Sequence, residues 1–309
     1  MKEEKIATRQ SFGEELAKLG EKNKNIVVLD ADLAGATKTE IFGKKFPDRF
    51  FDIGIAEQDM ISTAAGLATC GKIPFASSFA MFVTGRAYDQ IRNSVCYPKL
   101  NVKICGTHAG VTVGEDGATH QMLEDLNLMR GLPNMTVICT SDDVQTRYIV
   151  NQMAEYDGPC YLRLCRAATP VIYDEKTKFE IGKAVQFGQG TKATVFATGV
   201  TVSEALKAQE VLANEGIDIR VVDVHTIKPI DREMIVKCAK ETEKLISIED
   251  HSIIGGLGTA ISEVLTEEYP KKLVRMGMKD IFGKSGKAMQ LLEYFGLVSA
   301  NIIDEVKKD

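Results

Sequence analysis

Short apolar, β-branched runs recur along the chain and alternate with stretches of helical period. The runs "NIVVLD", "FFDI", "VKICG", "TVICT" and "CYLRL" fall in the first part, and "ATVFAT", "IRVVDV", "KLISIED" and "KLVRMGM" in the second. Between them lie amphipathic segments such as "RQSFGEELAKLG", "DDVQTRYIVNQMAEY" and "SEALKAQEVLANEG". Strands that are apolar on both faces and separated by helices predict a parallel sheet covered on both sides. The alternation lapses around residues 167–192, where "ATPVIYDEKTKFEIGKAVQFGQGTK" is charged and rich in turn formers. The expected fold class is α/β, with two domains, 1–180 and 181–309. Each should be a mostly parallel sheet with helices on both faces.

Composition narrows the function. At 309 residues the chain can bury two cores, and 44% hydrophobic with 26% charged residues fits a globular protein. A net charge of −5 gives no reason to expect nucleic acid or an anionic membrane as partner. No apolar run approaches the roughly 18 residues of a membrane span. The opening "MKEEKIATRQ" lacks the apolar core of a signal peptide, so a cytoplasmic location is expected. The seven cysteines include no Cys-x-x-Cys pair, and several, such as Cys105 and Cys139, sit in apolar runs. They read as buried reduced thiols, not disulfides or zinc ligands.

Candidate chemistry gathers in the first part. In "FFDIGIAEQDM" a strand runs into Glu57, at the first turn of a helix of small residues. A first-turn acid favoured by the helix dipole is one reading; a buried proton-carrying carboxylate with a raised pKa is the other. His108 and His120 flank the Gly-rich loop that carries Glu115 and Asp116, after the strand "VKICG". Open α/β sheets hold ligands at such strand ends. Irregular spacing, with no thiolate nearby, argues against zinc. Phe79 and Phe82, three apart, would share one face of a helix. Gly255, Gly256 and Gly258 lack dinucleotide-site spacing and read as a tight turn into a helix. His225 and His251 read as structural.

The segments "IAEQDM", "SSFAMF", "RAYDQIRN" and "GVTVGEDGATHQMLEDLNLMRGLPNM" resemble the second half of a transketolase, its pyrimidine-binding and C-terminal domains. The resemblance runs from about Ala7 to near the C-terminus and includes "VVDVHTIKPID" and "IEDHSIIGGLG". It implies thiamin diphosphate as cofactor, with Glu57 hydrogen-bonded to a ring nitrogen of the aminopyrimidine and relaying the proton that activates it. Phe79 and Phe82 would pack around that ring. His120 and Asp116 would face the reacting sugar, and Arg9, His108 and Arg166 would hold the sugar phosphate. Transketolases bind the diphosphate through Mg2+ with a Gly-Asp-Gly motif, which this chain lacks. The resemblance therefore implies the C-terminal subunit of a split transketolase, with no metal ligands of its own. A partner subunit would carry the diphosphate-binding domain and the magnesium, most plausibly in a two-plus-two heterotetramer.

Two positions depart from the family pattern. A phosphate-holding serine of many relatives is replaced near "DLAGAT" by Ala36, with Thr37 adjacent as a possible substitute. The third aromatic of the pyrimidine pocket has no equivalent in "VTGRAY". Three alternatives stay open: a 2-oxo acid dehydrogenase β subunit, half of a 1-deoxyxylulose-5-phosphate synthase, and a non-catalytic regulatory homologue.

Overall fold

The run Ile26–Asp30 is buried along its whole length, and its alternate residues serve two different cores. Val27 and Leu29 face one apolar cluster while Ile26 and Val28 face another, as the two-residue period of a strand requires. The structure is a computed structural model and describes residues 4–308. Around this strand forms a seven-stranded sheet. Its order is Thr226–Lys228, Thr136–Cys139, Cys160–Arg163, Lys103–Thr107, Ile73–Phe79, Ile26–Asp30, Phe50–Asp52. Only the first of these pairs antiparallel. A second, five-stranded sheet runs Leu273–Met278, Lys244–Ser252, Ala193–Ala197, Ile219–Asp223, Val185–Phe187, again parallel except at the last. Lys5–Ala7 and Ala168–Pro170 form a separate antiparallel ribbon. Among the described residues no helix is long and apolar enough to cross a membrane.

Helices cover the first sheet through their apolar stripes. Thr8–Lys22 buries Phe12, Leu16 and Leu19, which join Phe42 and Phe75 in one cluster. Each such side chain contributes about 1.5–3 kcal/mol relative to exposure. Asp143–Glu155 is capped by Asp142, whose Oδ1 accepts from the Gln145 amide at 2.8 Å. Its Oδ2 accepts from the amides of Ile172 and Tyr173, tying the following segment to the same helix end.

Every strand expected from the sequence is present. The strand Ile73–Phe79 is an addition, because "IPFASSF" offers Pro, Ala and two Ser instead of a β-branched run. Pairing on both sides, with Ile26–Asp30 and Lys103–Thr107, makes it a strand. Phe79 is its last residue, which corrects the shared helical face expected for Phe79 and Phe82. Thr226–Lys228 comes from the second half of the sequence but completes the first sheet. One apolar cluster also runs through both sheets, from Leu29, Ile104 and Val137 to Phe196, Val222 and Leu245.

The cysteines are all free, and six of the seven are buried as expected. Cys70, just beyond the helix Glu57–Thr69, is exposed instead. His225 and His251 are both fully buried.

Candidate active site

Three neighbouring parallel strands deliver candidate residues at their C-terminal ends. Phe79 ends one, His108 follows the next, and Arg166 follows Cys160–Arg163. Arg9 reaches the same edge from the first turn of Thr8–Lys22. His108 sits at φ 56°, a left-handed conformation uncommon outside glycine and one that clusters at functional sites.

These residues meet. Arg9 Nη1 donates to the Ala36 carbonyl at 2.7 Å and lies 3.3 Å from His108 Nε2. His108 Nδ1 is 2.9 Å from Thr107 Oγ1, and the imidazole stacks on Phe79 with centroids 3.8 Å apart. Burial, with Arg9, Arg166 and His120 adding positive charge, pushes His108 down to about 3, so its ring is neutral near pH 7. Burial and the neighbouring Arg166 likewise lower Arg9. Arg166 Nη1 donates to the Val113 carbonyl and, at 3.1 Å, to Glu115 Oε2. Among the described residues, the buried Arg9 Nε has no hydrogen-bond partner. Two mutually repelling guanidiniums, one with an unsatisfied N–H, make a place that an oxyanion would complete.

The other end of the site centres on Glu57. It opens the helix Glu57–Thr69 at 1% exposure, and Arg86 Nη1 donates to its Oε2 at 2.7 Å. The Arg86 guanidinium also lies over the Phe82 ring, 4.8 Å from its centroid. Phe82 stacks on Phe79 at 5.8 Å with planes 12° apart. A line of contacts thus runs from Glu57 through Arg86, Phe82, Phe79 and His108 to Arg9. Sequence reasoning missed Arg86, although it lies in the quoted "RAYDQIRN". It ends a π-helical turn, Met81–Arg86, a distortion frequent at functional sites.

His120 joins this line edge-on, 5.4 Å from the Phe82 ring and 6.4 Å from Phe79, with Nδ1 3.0 Å from Thr119 Oγ1. Asp116 lies exposed on the same loop. Thr37 does not serve the anion-holding end. It is fully buried, and its hydroxyl donates to Asp30 Oδ2 at 2.6 Å. The Ala36 carbonyl, not a hydroxyl, faces Arg9.

The residues present fit an aromatic, nitrogen-bearing cofactor ring: a buried carboxylate beside stacked phenyl rings offers both a polar and a face-on contact. Among the described residues, no group of three or more His, Cys, Asp or Glu is placed to hold a metal ion.

Comparison with known proteins gives a consistent family. The pyrimidine-binding domain of transketolase matches residues 4–171, and the transketolase C-terminal domain matches residues 182–302. The chain is 53% identical over 308 residues to a transketolase C-terminal section of Methanocaldococcus jannaschii, covering 97% of this chain and 96% of that one. It is 42% identical to the 6-deoxy-6-sulfo-D-fructose transketolase subunit of a Clostridium species, covering 96% and 92% respectively. Human transketolase is 41% identical over 95% of this chain, which spans 47% of that protein. Among solved structures, a split-gene transketolase described as an inactive beta4 tetramer superimposes with a TM-score of 0.91 at 50% identity. That superposition covers 98% of this chain and 97% of the other. With both of its domains matched in order, the chain belongs to the transketolase family.

Proposed function

We propose that this chain is the C-terminal subunit of a two-subunit transketolase. It works with thiamin diphosphate and moves a two-carbon ketol unit from a ketose phosphate to an aldose phosphate. The supporting observation is the contact line from Glu57 to Arg9, which joins a ring-binding end to an oxyanion-binding end at one sheet edge. Glu57, Phe79 and Phe82 would hold the cofactor's pyrimidine, whose bound thiazolium supplies the electron sink for the two-carbon fragment. Glu57 would hold and move a proton at a ring nitrogen. Phe79, stacked on His108, keeps water from that end. Arg9, His108 and Arg166 would grip the anionic end of the sugar, while Asp116 and His120 orient its hydroxyls. Because His108 is neutral, it has at most one ring N–H to offer, and the two arginines supply the charge.

The diphosphate and its magnesium fall to a partner subunit, in a two-plus-two assembly within the cytoplasm. The inactive tetramer formed by the 50% identical neighbour fits a chain that is inert alone. The sulfo-sugar relative gives the oxyanion grip a second reading, since sulfonate and phosphate present the same tetrahedral oxygens. The test mixes this chain with a diphosphate-binding subunit, thiamin diphosphate and magnesium. Ketol transfer from xylulose 5-phosphate, or from a 6-sulfo ketose, to ribose 5-phosphate is expected only in the mixture. Robust transfer by this chain alone would refute the split arrangement.

A further inference from the structure

The second domain contributes none of the candidate catalytic groups, yet it holds the loop carrying Asp116 and His120 at both ends. At the first end, Asp250 Oδ1 accepts from the Val111 amide at 2.8 Å and Oδ2 from Thr112 Oγ1 at 3.1 Å. Asp250 lies on Lys244–Ser252. Its carbonyl is held in turn by Arg163 Nη2 at 2.8 Å, while Arg163 Nε donates to Asp125. Gly110, at φ 78°, lies so close that a Cβ there would overlap the Asp250 carboxylate.

At the second end sits Gln121, next to His120 and 3% exposed. Its Nε2 is within hydrogen-bond distance of three carbonyls: Val111 at 3.2 Å, Gly114 at 3.3 Å and Lys284 at 2.9 Å. The first two belong to the loop and the third to the second domain. One NH2 therefore serves three acceptors with two protons. The Gln121 Oε1 is buried and has no partner among the described residues, and a Cβ at Gly283 would overlap it. A buried unpaired carbonyl is unfavourable, so packing alone would be better served by an apolar side chain of equal length. The donors explain the amide.

We infer that Gln121 is a positioning residue. It pins the loop from Gly110 to Gln121 onto the second-domain segment 283–286 and thereby sets Asp116 and His120 for reaction. The second domain thus acts on catalysis by holding that loop. The catalytic part of this inference rests on the transketolase reading above.

The test compares Gln121→Met with the parent, and adds Gly283→Ala, which strains the same contact from the opposite side and covers a failure of the first variant to fold. In the isolated chain, amide hydrogen exchange across residues 110–121 should quicken at least tenfold in Gln121→Met. Exchange in the helix Asp143–Glu155 should not change. In the assembled enzyme kcat should fall at least tenfold with KM within threefold, because misplaced reacting groups mainly raise the barrier. Deuterium exchange at the cofactor's thiazolium carbon should stay at the parent rate, since that step depends on Glu57. Unchanged loop exchange, or kcat within twofold of the parent, would overturn the inference. A parent mixture without any ketol transfer would instead overturn the functional reading, and loop exchange alone would then decide whether Gln121 pins the loop.

Discussion

Arg86 Nη1 lies 2.7 Å from Glu57 Oε2, and the pair is lopsided: the Glu57 side chain is 1% exposed and that of Arg86 44%. A buried carboxylate left without a partner loses hydration with nothing in return. Arg86→Ala should therefore lower the stability of the isolated chain by about 1–3 kcal/mol. In a Glu57→Gln background the same substitution should cost little. Urea denaturation of the four proteins in this cycle measures the difference, which isolates the pair itself. Equal costs in both backgrounds would show that Arg86 matters for its packing on Phe82.

Glu57→Gln keeps the shape and removes the proton relay. Deuterium exchange at the thiazolium carbon in the assembled enzyme should fall by orders of magnitude, with the fold intact by circular dichroism. If Glu57 were only a helix-start acid, exchange would persist at the parent rate.

Among the described residues, Arg166 hydrogen-bonds only a loop carbonyl and the exposed Glu115. Arg166→Ala should raise KM strongly for phosphorylated donors, because a contact remote from the reacting carbon stabilises ground and transition states alike. Hydroxypyruvate, which carries no phosphate, should be used almost as before. Steady-state kinetics with both donors checks this, and matched losses would assign Arg166 to loop structure.

Burial pushes His225 down to about 4, with Asp231 pulling weakly the other way. Its Nε2 has no partner among the described residues, and its Nδ1 lies 3.0 Å from Thr226 Oγ1. The folded chain thus prefers the neutral ring, while the unfolded chain takes up a proton near the ordinary value of 6.5. The stability this group contributes is complete above pH 6.5 and is lost as pH falls towards 4. The stability advantage of the parent over His225→Gln should therefore shrink over that range, by up to about 1.4 kcal/mol per pH unit. Asp30 and Asp223, raised to about 6 by burial, and Glu249, raised to about 7 by burial, drift the opposite way. They do so equally in both proteins and cancel from the comparison. A difference that stays level from pH 7 to 4.5, measured by denaturation midpoints, would contradict it.

Much of the architecture was legible because the strands are continuous apolar runs whose sequence pattern and burial coincide, as in "NIVVLD" and "IRVVDV". Ile73–Phe79 was not, since its small and polar residues become a strand only through two flanking partners. At the site, the motifs singled out Glu57, His108, Asp116 and His120 as candidates. Arg86 and Gln121 sat inside the same quoted motifs but carried no signal of their own. Their importance lies in what they touch across the fold, a carboxylate 29 positions away and a carbonyl 163 positions away. Thr37, which the sequence left open as a phosphate contact, is already held by Asp30.

The crossing of Thr226–Lys228 onto the edge of Thr136–Cys139 has a consequence for how this protein can be divided. A polypeptide ending near residue 180 would leave that edge open, with its row of amides and carbonyls free to recruit any passing strand. The remaining fragment would carry a short strand with nothing to lie against. The two halves of the chain thus share one sheet edge. The chain should therefore melt in a single transition, which calorimetry would check.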